Sequence, residues 1–87
     1  AERSRQADLR QDLRILKAEY ASLQRLIRTQ SSNLSMNNSA LPLGMGERVN
    51  SALIAIEPSG EVSTQLNELR RSIAAARALV AELANLS

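Results

Sequence analysis

Eighty-seven residues make one small domain, and 38 of them are apolar, 27 of those Leu or Ala. Tyr20 is the only aromatic, and without Cys or His the chain has no disulfide framework, no thiolate or imidazole metal site and no His-activated nucleophile. Eleven basic against nine acidic residues give +2, gathered mainly in residues 1–32 (seven basic, four acidic); without aromatic interleaving this reads as a solvated helix face, and no nucleic-acid partner is expected.

Residues 3–32 contain no Gly or Pro and repeat apolar side chains at alternating steps of four and three: Leu9, Leu13, Leu16, Tyr20, Leu23 and Ile27. This predicts a first helix roughly 45 Å long, packed along one stripe. With Leu13, Tyr20, Ile27 and Leu34 at heptad position a, position d holds Leu9, Leu16, Leu23 and Gln30. Gln6 (position a) and Gln30 (position d) interrupt the stripe near its two ends. An amide in an apolar seam can fix register and oligomer state, whereas a frayed helix end would leave it in water. Tyr20 is expected in the core, with a partner for its hydroxyl.

Residues 33–46 form a polar connector. Ser31-Ser32-Asn33 and Asn37-Asn38-Ser39 favour turns, and Pro42, Gly44 and Gly46 punctuate the chain, with Leu34, Met36, Leu41, Leu43 and Met45 interleaved. A short helix is expected over 47–56, with Val49, Ala52, Leu53 and Ile56 on one face, ended by Glu57-Pro58-Ser59-Gly60. Ser59 suits an N-cap for a last helix over about 60–86. That helix repeats the same rhythm through Val62, Leu66, Leu69, Ile73, Ala76, Val80 and Leu83, and Leu79 and Leu86 widen its stripe. Its alanines favour helix and permit close approach of a neighbour.

Two narrow stripes on so short a chain leave apolar surface to cover. The fold class is therefore all-α: a single domain built as a long helical hairpin with a short middle helix, completing an up-down bundle by self-association, with a dimer favoured. The flanking charges raise an alternative. Position e carries Arg10 and Lys17 in the first helix and Arg70 and Arg77 in the last, so an antiparallel pair sets like charges together. A parallel pair instead brings Asp12 and Glu19 toward Arg70 and Arg77. Surface pairs of this kind contribute only about 0.3–0.5 kcal/mol each and do not decide the direction.

Little here suggests catalysis. Asp8 and Asp12 lie at helical spacing but among arginines, where ion pairing explains them. Gly44-Met45-Gly46-Glu47-Arg48 lacks the flanking strand and Lys-Ser/Thr of a phosphate loop. Ser59, Ser63 and Thr64 have no base. Arg70-Arg71 reads as surface, and the sequons at Asn33, Asn37 and Asn85 fit chance occurrence. No catalytic, cofactor or metal-binding residue is assigned, and an enzyme is not expected.

Two functional expectations follow. The first is a non-enzymatic oligomerisation or protein-interaction module within a larger assembly, its helix–helix interface formed by the two stripes, with a partner helix as another occupant. The second is an extracytoplasmic input domain of a bacterial membrane receptor. That reading needs both ends of a hairpin side by side, with apolar runs of about 20 residues flanking them, because no run inside the chain is long enough to span a bilayer. With neither His nor Cys, the melting temperature should stay nearly constant between about pH 6 and 8 and ignore chelators and reductants. A shift of several degrees with EDTA would contradict the residue inventory.

Overall fold

The computed structural model describes residues 2–36, 41–54 and 60–86, with side chains from Arg5 onward. It holds three helices, α1 (Glu2–Met36), α2 (Met45–Leu53) and α3 (Val62–Leu86), in a rod of 55 × 17 × 17 Å, with no strand among the described residues. The chain is a helical bundle in which the long α1 packs along α3. No described helix is long and apolar enough to cross a membrane.

The helix ends differ from the sequence expectation in instructive ways. α1 runs four residues past position 32, because Leu34 (3% exposed) adds another turn to its buried stripe. Thr29 and Ser31 do not break the helix, since their hydroxyls bond back to the carbonyls of Arg25 and Arg28 at 3.0 and 3.1 Å. α2 starts at Met45, two residues earlier than 47. Gly44 adopts φ 85, a left-handed conformation that suits glycine, and the Met45 amide donates to the Pro42 carbonyl at 3.0 Å. Met45 itself is buried. α2 closes at Leu53, beyond which Ile54 is extended; Ile56 and the expected cap Ser59 lie outside the described residues. At the start of α3, the Gln65 amide donates to the Glu61 carbonyl at 3.0 Å, and its side chain donates to the Gly60 carbonyl at 2.8 Å.

Direction is read from neighbours along the rod. Arg5, Gln6 and Leu9 border the same hollow as Gly60, Glu61, Val62 and Ser63. Further along, Glu19 pairs with Arg77, and Tyr20 faces Ala75, Ala76 and Leu79. Rising numbers on α1 meet rising numbers on α3, so the two long helices run parallel. Of the two arrangements compatible with the sequence, the helix-1-up, helix-3-down pairing is not the one formed. Consecutive helices still alternate, because Arg48 of α2 pairs with Glu82 while Ser51 and Ala52 lie beside Ser72, Ala75 and Ala76. The course is up, down, up.

The Glu19–Arg77 pair is the g-to-e contact of a parallel heptad seam. In that register Leu13 lies level with Leu66, Leu16 with Leu69, Tyr20 with Ile73, Leu23 with Ala76, Ile27 with Val80 and Gln30 with Leu83. Burial follows the seam. Position a of α1 (Leu13, Tyr20, Ile27, Leu34) and position d of α3 (Leu69, Ala76, Leu83) are buried, together with Leu66 and Ile73. Position d of α1 and Val80 of α3 are half-buried, as is Val62 at the end of the rod. The division has a direct cause. α2 lies on the a side of α1 and the d side of α3, beside Tyr20 and Leu79, and none of the described helices covers the other side.

Leu69 is 2% exposed at the centre of the seam, whereas Arg14 faces solvent. Leu69→Ala should therefore lower unfolding free energy by about 2–4 kcal/mol, and Arg14→Ala should change it by less than about 0.5 kcal/mol. Urea titration of both variants checks the register; equal losses would mean it is wrong.

Candidate interaction surface

Two grooves flank the seam, and they differ in what fills them. In the first, α2 is held at its C-terminal end by side chains of α1. The Tyr20 hydroxyl donates to the Ala52 carbonyl at 3.1 Å, and the Gln24 amide donates to the same oxygen at 2.9 Å and to the Ile54 carbonyl at 3.3 Å. The last carbonyls of any helix lack partners within it, so this arrangement satisfies groups that would otherwise need water. Tyr20 thus fills the core with its ring and fastens α2 with its hydroxyl. Burial pushes the Tyr20 hydroxyl above its ordinary value of 10.0, opposed by the hydrogen bond with Gln24. Nearer the start of α2, Arg48 bonds to Glu82 of α3 and holds that carboxyl below the usual carboxylate range. Small residues facing one another (Ser51, Ala52, Ser72, Ala75 and Ala76) leave a half-open hollow of about 420 Å³ beside Tyr20.

The second groove lies on the opposite side of the seam. Its floor is the half-buried row Leu9, Leu16, Leu23 and Gln30 of α1 with Val80 of α3. Leu26 (44% exposed) and Ile15 (57% exposed) stand on its α1 flank, so the apolar strip continues onto the surface. Its edges are charged with opposite sign: Asp12 and Glu19 on α1, Arg70 and Arg77 on α3. Glu19 and Arg77 pair across it, whereas Asp12 and Arg70, in the same heptad relation, form no ion pair among the described residues. None of the described helices covers this groove. The Gln30 Oε1 is inaccessible to water and has no hydrogen-bond partner among the described residues.

Of the interface residues read from the stripes, Leu13, Tyr20, Ile27, Leu66, Leu69, Ile73, Ala76 and Leu83 come together in the buried seam, while Leu9, Leu16, Leu23 and Val80 edge the open groove. The two amides diverge. Gln30 sits in the seam, and Gln6 is exposed beside Gly60–Ser63. Leu79 is fully buried under α2, ahead of Val80 on the stripe, and its spacing of seven from Leu86 was the available signal. Met45 and Val49 complete the core from α2; only a helix starting at Gly44 would have pointed to Met45. Asp8, Asp12, Arg70 and Arg71 are exposed, and no three acidic residues are grouped to hold a metal among the described residues.

Tyr20→Phe tests the fastening of α2. Losing the bond to Ala52 should cost about 0.5–1.5 kcal/mol below pH 10. The folded state holds the Tyr20 proton more tightly than the unfolded state does. Its contribution is therefore complete below the ordinary value and is lost as pH rises through the raised one. The native protein should lose stability in that alkaline range, and the Phe variant should lose less, as read from melts against pH. Compared with protein-family models, curated proteins and solved structures, the chain matches none.

Proposed function

We propose that this chain is a non-enzymatic helical module that self-associates through the groove opposite α2, as a joining element of a larger assembly. The observation that carries the reading is the one-sided cover of the seam. α2 seals one edge, while Leu9, Leu16, Leu23, Leu26 and Ile15 stay wholly or partly in water on the other. Covering such a strip with apolar surface gains about 25 cal/mol for each Å² removed from water, a gain a short, thin core cannot obtain internally.

The alternative, an extracytoplasmic input domain of a bacterial membrane receptor, finds less support in the helix directions. With α1 and α3 parallel, Glu2 and Leu86 lie at opposite ends of the rod, roughly 45 Å apart along its axis.

Self-association couples folding to concentration. The melting temperature should rise by several degrees over a hundredfold increase in protein, with light scattering giving the mass of a dimer. Leu26→Glu should abolish that dependence and yield a monomer of unchanged helicity, because Leu26 is already partly exposed. Ala78→Glu, on the outer face of α3, should leave it intact. A monomeric mass with a dilution-independent melt would overturn the proposal.

A further inference from the structure

We infer that two copies join side by side and parallel, groove to groove about a two-fold axis along the rod, with their Gln30 carboxamides paired across that axis. This rests on the self-association proposed above and adds its direction, register and specificity-setting residue.

The first argument is charge. A two-fold contact uses the same patch twice, so the patch must complement itself. The groove has an acidic edge, Asp12 and Glu19, and a basic edge, Arg70 and Arg77, with Asp12 and Arg70 forming no ion pair among the described residues. A lengthwise two-fold lays the α1 edge of one copy on the α3 edge of the other at equal height. Asp12 then meets Arg70 of the second copy, and Glu19 and Arg77 join a four-charge cluster of alternating sign. A crosswise two-fold lays α1 on α1 and α3 on α3, head to tail. With Gln30 set near Leu9, Asp12 then faces Leu26, Glu19 faces Glu19 and Arg70 comes near Arg77 of the second copy, so no opposite charges are paired and like charges meet.

The second argument is Gln30. Its Oε1 is shut from water without a donor among the described residues, at a half-buried position on the open side of the seam, level with the apolar Leu83. Buried amide oxygens are seldom left so, because nothing replaces the hydrogen bonds they made to water. On a lengthwise two-fold each groove residue lies at the height of its own counterpart, so Gln30 meets Gln30. Rotation of each Gln30 side chain toward the axis carries the carboxamide out of its closed position in the seam, and each can then donate an N–H to the other's oxygen. A crosswise two-fold would set Gln30 near Leu9 of the second copy and leave the oxygen without a donor. A paired amide in an otherwise leucine-lined contact fixes register and orientation.

The absence of cysteine makes the test direct. In the full chain under mild oxidation, Gln30→Cys and Leu9→Cys should each form a covalent dimer, and a mixture of differently sized versions of the two should give no Leu9→Cys to Gln30→Cys product. Gln30→Glu supplies a second readout. Two carboxylates meeting on the axis should weaken the dimer at least tenfold at about pH 7, with recovery in acid once they are protonated, by light scattering with helicity monitored. A non-covalent dimer in which only the mixed product forms overturns the parallel arrangement while leaving self-association standing. A Gln30→Glu dimer as tight as the parent overturns the amide pairing. A monomeric mass at every concentration leaves the groove to a helix of another protein and overturns both readings.

Discussion

The whole architecture depends on two helices of one chain running parallel. Adjacent antiparallel helices need only a short turn, but parallel ones oblige the chain to travel back along the rod before the second can begin. Between Met36 and Val62 that return is made, and α2 occupies only nine residues of it. A nine-residue helix can lie against one side of the seam and cannot reach round to the other. The difference between the two sides of α1 follows in part from that fact: Tyr20 faces α2, while Leu9, Leu16, Leu23 and Gln30 lie on the other side.

α2 is too short to be stable as a free helix, since isolated helices below about 12–15 residues are marginal in water. It persists because Met45 and Val49 enter the shared core and because both of its ends are held. Tyr20 and Gln24 take its last carbonyls, and Arg48 ties it to Glu82. The alanines and serines it meets on α3 let it lie close but leave the hollow beside Tyr20. The least strongly packed helix is thus fastened by polar contacts, and the most strongly packed seam by Leu and Ile. Loss of the polar contacts would free α2 while leaving the α1–α3 seam in place.

The functional reading follows from asymmetry. One side of the seam has apolar cover and satisfied polar groups. The other has a leucine row, an amide oxygen without a donor and edges of opposite charge. The proposed second copy would supply the wall missing on that side.

Much of the fold was legible in the linear order of residues, because a heptad stripe records which angular face of a helix is buried. Leu13, Tyr20, Ile27, Leu66, Leu69, Ile73, Ala76 and Leu83 were readable on that basis alone, as was the all-α class. The charges at Glu19 and Arg77 also anticipated a parallel contact without deciding it, since exposed pairs contribute too little. A stripe carries no arrow: the same spacing serves a parallel or an antiparallel neighbour. Nor does it say which edge a third helix will cover, so the extension of α1 to Met36 and the contrast between Gln6 and Gln30 could not be read from spacing. Those were decided by tertiary structure, because direction and one-sided cover arise from how far the connecting chain must travel and where α2 comes to rest.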